Sequence, residues 1–229
     1  TTFLETIRRN LAKDKNLRQA KVSGSIQEMF RPYYLATKFL VELLNEREDK
    51  GAGILESLDP KEISHLSHIL PHLGASPEPP SPEDESAARE GLFNTLVHFI
   101  PQVVDGQPVI LLIDDLQFAD EASLPLLRHV MLRGQIALFL CGSAADPLPI
   151  PLEGHRIPLE SFYKAYHQEL SIHRLKLIPL TAADIAEHLE KMFPGVKIPD
   201  HFDRDLDQIT QGNPLFLGEI LCKLVLEQK

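Results

Sequence analysis

The stretch that decides the fold is VILLIDDLQFADE, residues 109–121, in which an apolar run leads directly into two adjacent aspartates. A run of β-branched residues and leucine without alternation is typical of a strand covered on both faces, as in parallel α/β sheets. In such sheets ligands bind beyond the carboxyl ends of the strands. Asp114 and Asp115 are therefore predicted to lie at a crevice, where a cation such as Mg²⁺ would offset their charge. The alternative is that both acids simply begin a solvent-facing loop.

Strand and helix patterns alternate on both sides of this run. Residues 20–25 and 136–141 predict two further strands, and the alternating HRLKLIPL, residues 173–180, predicts a strand at a sheet edge. Apolar residues at helical spacing predict helices over residues 1–17, 33–47, 59–73, 87–104 and 124–132. This order predicts an α/β fold, a parallel sheet flanked by helices.

Two segments stand apart from the α/β pattern. Residues 75–86, ASPEPPSPEDES, hold four prolines and four acids, so an exposed surface loop is expected there. Residues 181–229 predict only helices, the first of them capped by Thr181 with Asp184 at its third position. We therefore expect an α/β core over residues 1–180 and a small helical unit over residues 181–229.

Composition limits the classes of partner and the cellular compartment. The formal net charge is -10, and each neutralised phosphate of a nucleic acid needs a Lys or Arg, so direct nucleic-acid binding is not expected. No apolar run is long enough to span a membrane, and the charged N-terminal segment lacks the apolar core of a signal peptide. Cys141 and Cys222, the only cysteines, lie in apolar runs and are expected to be buried, reduced thiols. These features together favour a cytoplasmic protein.

The segment PVILLIDDLQFADEASLPLLRHV, residues 108–130, resembles the Walker B segment of the STAND class of P-loop ATPases, which are relatives of the AAA+ proteins. The usual family phrase is an apolar strand followed by Asp-Asp-Leu-Gln-Trp-Ala-Asp, and Phe118 keeps an aromatic where the family has tryptophan. The resemblance implies a P-loop NTPase-like sheet that binds ATP or ADP with Mg²⁺. It implies that Asp114 holds the ion and that Asp115 orients or activates the attacking water.

A second resemblance lies near the C-terminus. The phrase QITQGNPLFLGEIL, residues 208–221, is similar to the helical lid of the same family, in which the proline lies against the adenine. The resemblance implies that Gly212, Asn213 and Pro214 border the base. The plainer reading is a turn with asparagine as the cap and proline in the first turn of a helix, and both readings can hold together.

The Gly-rich loop that ends in Lys-Ser/Thr and cradles phosphates does not occur in the sequence. The opening TTFLETIRRNLA, however, resembles the helix that directly follows such a loop in the family. On that alignment Thr1 or Thr2 supplies a hydroxyl on the Mg²⁺ and nucleotide side. The first strand, the loop and its lysine would then precede Thr1, or the protein has lost them.

One departure from the family concerns hydrolysis. The family usually places an arginine shortly after the next strand, but this chain has Gly142, Ser143 and Ala144 there; Arg156 and Arg174 are alternatives that no spacing favours. The resemblance therefore implies a slow or partner-dependent ATPase. Such a switch would act on effector or sensor domains, in the same chain or in a partner, and could assemble into nucleotide-dependent homo-oligomers. The alternative function is a non-catalytic scaffold that keeps the fold and mediates protein–protein interaction.

Overall fold

The computed structural model of the protein describes residues 2–45, 53–55, 57–70, 84–148 and 157–226. The chain forms two compact units, Thr1–Ile172 and His173–Lys229. All strands among the described residues belong to the first unit, and the second unit is built from helices. Most of the proline-rich segment predicted as a loop lies outside the described residues, but Glu85 and Ser86 already belong to a helix.

The first unit is built on a small parallel sheet. Its strands are β1 (Arg18–Ser23), β2 (Val109–Asp114) and β3 (Leu138–Gly142), and they lie in the order β1-β2-β3. Both neighbouring pairs are parallel, and the register sets Ser23 beside Asp114. The predicted α/β fold, with a parallel sheet flanked by helices, is confirmed at this level. The apolar composition of β2 follows from its surroundings, because apolar side chains of helices pack against both faces of this strand.

Helices of the first unit lie on both faces of the sheet. They are α1 (Thr2–Leu11), α2 (Tyr34–Asn45), α3 (Pro60–Ser67), α4 (Glu85–Val103), α5 (Ser123–Arg133) and α6 (Pro158–Tyr166). On one face, Leu4 of α1 packs on Ile110 and Leu112. On the other, residues of α2, α4 and α5 pack with Leu111 and Ile113 in the main core. The alternation of β2 side chains thus places consecutive residues in two separate clusters.

The first helix is shorter than its pattern predicts. It ends at Leu11 rather than at Leu17. The side chain of Asp14 accepts a hydrogen bond from the Asn16 backbone N–H at 2.9 Å, which offers the backbone a local turn in place of the helix. Leu17 still packs against the cluster of α1 and β2, from a position after the turn.

The second unit contains helices α7 (Ala182–Met192), α8 (Phe202–Thr210) and α9 (Pro214–Leu226). The capping box predicted at its start is present, because Thr181 and Asp184 exchange side-chain and backbone hydrogen bonds. These contacts hold the pKa of the Asp184 carboxyl below its ordinary value, through the backbone N–H of Thr181 first. A small core of buried apolar residues joins the three helices: Ile185, Leu189, Leu206, Leu217 and Leu221.

The strand predicted at residues 173–180 is wrong. The segment forms no strand, and Leu175, Leu177 and Ile178 are 75%, 63% and 76% exposed. Its last residue does donate a backbone hydrogen bond, from Leu180 N–H to the Gly212 carbonyl at 2.8 Å. Alternation makes a segment compatible with a sheet edge, but a strand also needs a neighbouring chain to bond to, and none of the described residues provides one.

Two further sequence expectations concern membrane and thiols. Of the helices that the structure describes, none is both long enough and apolar enough to cross a membrane. Both thiols are free, but Cys141 is only half-buried and Cys222 is exposed, so the expected burial is wrong for Cys222. It lies on α9, an almost wholly apolar helix of which the second unit buries only Leu217 and Leu221. Burial raises the pKa of the Cys141 thiol.

Candidate functional site

Polar side chains follow one another across the carboxyl edge of the sheet. Asp114 ends β2, Ser23 ends β1 beside it, and Ser143 comes directly after β3. Because alternate residues of β2 point to opposite faces, Asp114 lies on the same face as Ile110 and Leu112, which is the face that α1 covers. The edge at which the sequence predicts a crevice therefore carries one serine hydroxyl on each side of the Asp114 carboxylate.

Ser143 connects the two neighbouring strand ends. Its hydroxyl donates to Asp114 Oδ1 and accepts a hydrogen bond from the Asp115 backbone N–H at 3.3 Å. Its own backbone completes the sheet, since its N–H donates to the Ile113 carbonyl at 2.9 Å and its carbonyl accepts from the Leu116 N–H at 2.8 Å. One serine thus contacts both predicted site aspartates. In the sequence, only its place after the strand points to this role.

Asp115 is held in a left-handed backbone conformation, with φ 54° and ψ 46°. That region is unfavourable for most residues other than glycine, although aspartate tolerates it better than most, and contacts around the turn hold it there. Gly24 contributes, because a Cβ at this glycine would lie 2.3 Å from the Asp115 carbonyl oxygen. The result is a turn that reverses the chain at the end of β2 and leaves the Asp115 side chain exposed.

Burial does not force a cation onto this pair. Asp115 is exposed and Asp114 is half-buried, and each carboxylate accepts at least one hydrogen bond from a protein side chain. The expectation that both carboxylates are buried is wrong for Asp115, since the turn after β2 keeps this second acid in contact with solvent. Among the described residues, no three His, Cys, Asp or Glu side chains converge on one point. Asp114 and its neighbouring hydroxyls are oxygen donors that suit a Mg²⁺ ion that keeps several waters.

Asp120, the third aspartate of the stretch, has a structural task that its sequence neighbourhood does not reveal. Asp120 is 1% exposed, and its carboxylate accepts hydrogen bonds from the backbone N–H groups of Tyr33 (2.8 Å), Leu35 (3.0 Å) and Ser123 (2.9 Å). The Ser123 hydroxyl adds a fourth bond, at 2.6 Å, and itself accepts from the Ala36 N–H at 3.0 Å. One buried carboxylate therefore satisfies the free N–H groups at the starts of both α2 and α5.

The start of α1 is at the same edge of the sheet as the aspartates. A short connection leads from Leu11 into the amino end of β1, so α1 runs antiparallel to the strands and Thr2 lies toward their carboxyl ends. The Lys21–Glu5 ion pair, at 2.9 Å, fixes this alignment near the end of β1, and that lysine hydrogen bond lowers the pKa of Glu5. Thr2 is exposed, while Thr1 lies outside the described residues.

The other predicted nucleotide residues belong to the second unit. Gly212 has φ 67°, and a Cβ there would lie 2.2 Å from the Leu180 carbonyl oxygen, so the position requires glycine. The Asn213 side chain accepts from the Leu215 N–H at 2.9 Å, and Pro214 begins α9. The turn and capping roles predicted for these residues are confirmed. Arg174 also belongs to this unit, whereas Arg156 lies outside the described residues.

Comparison with known proteins identifies no relative. The chain matches no protein-family model, no curated protein and no solved structure at a significant level. Function must therefore be argued from the site and from the sequence resemblance alone.

Proposed function

We propose that the protein is an ATP-binding switch module of the STAND or AAA+ type, which hydrolyses ATP slowly and with Mg²⁺. The observation that carries the proposal is the arrangement at the end of β2, where Asp114 lies between two strand-end hydroxyls and Asp115 is presented in a constrained turn. Consecutive acids at the carboxyl end of a central parallel strand suit a phosphate-bound Mg²⁺ and an attacking water.

The donor chemistry of the edge fits this pair of ligands. Asp114 would hold the ion, with Thr1 or Thr2 as a second oxygen donor, and Asp115 would accept the proton of the water through its exposed carboxylate. Bound Mg²⁺–ATP would supply the electrophilic phosphorus, and its Mg²⁺ would offset the charge of the aspartates. Gly212, Asn213 and Pro214 would border the adenine. Without an arginine directly after β3, little stabilises charge developing on the terminal phosphate, so turnover is expected to be slow.

The positions of the helices support a phosphate loop before Thr1. The connections from β1 to β2 and from β2 to β3 both place their helices on one face, whereas α1 lies on the opposite face. Crossovers between parallel strands are almost always right-handed, so a helix on the opposite face implies movement across the sheet in the opposite direction. A strand leading into α1 would then enter from the β3 side and pair with its open edge, where Phe139 is 64% exposed.

The same topology would bring the loop to the aspartates. A parallel strand at the β3 edge ends at the carboxyl edge of the sheet, next to Ser143 and Asp114. The turn from that strand into α1 would face them, and a helix start of this kind provides N–H groups for phosphate oxygens. The proposal therefore needs a Gly-rich loop that ends in Gly-Lys immediately before Thr1.

The second candidate function is a scaffold without catalysis. It is favoured by the hydrogen bonds that already satisfy the two acids, from Ser143 to Asp114 and from Gln117 to Asp115. It is also favoured by the exposed apolar side chains of the second unit, which include Leu175 and Leu226, 75% and 83% exposed. Such a scaffold would bind a protein through this unit and would not respond to nucleotide.

Nucleotide titration separates the two functions. The chain with the residues encoded upstream of Thr1 is titrated calorimetrically with ATP, with and without Mg²⁺. The switch predicts saturable binding, and Asp114→Ala should weaken its Mg²⁺-dependent part by about tenfold or more. Glu121→Gln is the matched control, since Glu121 is an exposed acid of the same segment. Absence of binding in the extended chain would refute the switch and leave the scaffold.

A further inference from the structure

The side chain of Gln117 is a buried polar group at the edge of the candidate site. It is 4% exposed although its neighbour Asp115 is exposed. A buried carboxamide needs hydrogen-bond partners for both its NH₂ donor and its carbonyl acceptor, because burial without partners is unfavourable. Both of its ends are paired, one to the turn after β2 and the other to the segment after β3.

The two partners of Gln117 determine which way its amide faces. The Ala145 backbone N–H lies 3.2 Å from Oε1, and because an N–H can only donate, Oε1 must be the atom that accepts there. The Nε2 group is consequently the one that faces Asp115, and it donates to Oδ1 at 3.0 Å. The two hydrogen bonds therefore fix the orientation of the amide.

This contact leaves the two oxygens of Asp115 in different situations. Oδ1 is engaged by Gln117, whereas none of the described residues donates to Oδ2, which belongs to an exposed side chain. The backbone of the same residue is fixed as well, through the Ser143 hydroxyl on its N–H and the close approach of Gly24 to its carbonyl. The Gln117 bond occupies whichever oxygen accepts it, so the other oxygen of this exposed carboxylate is left toward solvent.

We infer that Gln117 is a positioning residue: its carboxamide ties Asp115 Oδ1 to the Ala145 backbone and so aims Oδ2 at the attacking water. The inference rests on the proposed function for its catalytic consequence. These two hydrogen bonds of Gln117, called the clamp below, also join the carboxyl ends of β2 and β3. A shift of the segment after β3 would therefore be transmitted to the Asp115 carboxylate through a single side chain.

Two substitutions separate the two hydrogen bonds. Gln117→Met keeps the length and apolar burial of the side chain but removes both bonds. Gln117→Glu keeps an oxygen for the Ala145 N–H but puts a carboxylate where Asp115 needs a donor. Both variants should lower kcat by about tenfold or more, with the Kd for Mg²⁺–ATP unchanged within about twofold, since a misaimed base affects turnover and not binding. Gln102→Met, at an exposed glutamine on α4, is the matched control.

The reduction of kcat by the Gln117 substitutions must also depend on Asp115. In an Asp115→Asn background, Gln117→Met should reduce kcat no further, because the group that it positions is already lost. Full turnover of Gln117→Met in the native background would overturn the inference. An equal reduction in both backgrounds would overturn it too, since the glutamine would then act independently of the aspartate.

Hydrogen exchange of the Ala145 amide provides a readout that needs no ATPase. Wild-type protein and Gln117→Glu should protect this amide, and Gln117→Met should expose it. Protection that persists in Gln117→Met would show that the clamp does not exist. If the extended chain neither binds nor hydrolyses ATP but Ala145 follows this pattern, the proposed function and the aiming role fail while the clamp itself stands.

Discussion

The Ser123 hydroxyl donates a 2.6 Å hydrogen bond to Asp120 Oδ2, and this buried pair joins the start of α2 to the start of α5. Four donors converge on the Asp120 carboxylate, three of them backbone N–H groups that have no partner within their own helices. The segment that carries the candidate site is therefore anchored by Asp120, only a few residues beyond the exposed Asp115.

Removal of the Asp120 carboxylate should destabilise the first unit strongly. Asp120→Ala leaves buried donors without an acceptor and removes the cap of two helices, so we expect a loss of about 3–5 kcal/mol in the free energy of unfolding. Ser123→Ala removes one hydroxyl and should lose only about 1–2 kcal/mol. Urea unfolding followed by circular dichroism measures both. An Asp120→Ala protein within about 1 kcal/mol of wild type would contradict the dual cap.

Gly24 should not accept a side chain without a loss of stability, although it is only half-buried. Gly24→Ala would bring a methyl group to 2.3 Å from the Asp115 carbonyl, so the turn must move, with an expected cost of about 1–3 kcal/mol. Gly218→Ala is the contrasting substitution, because that glycine lies on α9 with no atom within 4 Å of the added Cβ. It should stabilise the second unit by about 0.5–1 kcal/mol. Equal stability changes in the two variants would argue against a close approach at Gly24.

The stability of the first unit should fall on acidification, partly through His129. Burial, followed by the charges of Arg133 and Arg128, lowers the pKa of this histidine below its ordinary value. The unfolded chain therefore takes up a proton as the pH falls through about 6.5, while the folded protein does not until its lower pKa is reached. Below about pH 6.5, the free energy of unfolding of His129→Gln should therefore fall less steeply with decreasing pH than that of the wild type. Some dependence should remain, because burial lowers the pKa of His68 too. His188→Gln, at an exposed histidine, is the control. If the free energy of unfolding depends on pH equally steeply in both variants, His129 makes no contribution.

The sequence was most informative where one local pattern determines the structure. The apolar run of β2 predicts a central strand because both of its faces must be covered, and Thr181 with Asp184 predicts a cap because both partners lie within one turn. A local pattern does not predict structure that depends on a partner distant in the sequence. HRLKLIPL alternates correctly, yet the described chain provides no strand beside it. Two of the three amides that Asp120 binds are 85 and 87 residues away, so its sequence neighbourhood does not reveal that it caps α2.

The candidate site also depends on contacts that the sequence alone does not predict. The position of Asp114 and Asp115 at a strand end follows from sequence, but the left-handed turn that exposes Asp115 depends on Gly24 and Ser143, each from a different strand end. Gln117 lies only two residues from Asp115, but its orientation is fixed by Ala145, which is 28 residues away. Contacts of this kind arise from the register of parallel strands, and no local spacing encodes them.

Substitution of Asp115 tests the catalytic assignment most directly. Asp115→Asn keeps the size of the side chain and an oxygen that can accept from Gln117, but it cannot take a proton from water. In the extended chain it should slow ATP hydrolysis by about a hundredfold while Mg²⁺–ATP binding stays within about twofold of wild type. Single-turnover phosphate release measures the first quantity and calorimetry the second, with Glu121→Gln as control. Unchanged hydrolysis would remove Asp115 from the chemistry, whereas equal losses of binding and turnover would assign it to the ion. Because the side chain is exposed and its backbone is fixed by neighbouring groups, a loss of fold should not obscure the result.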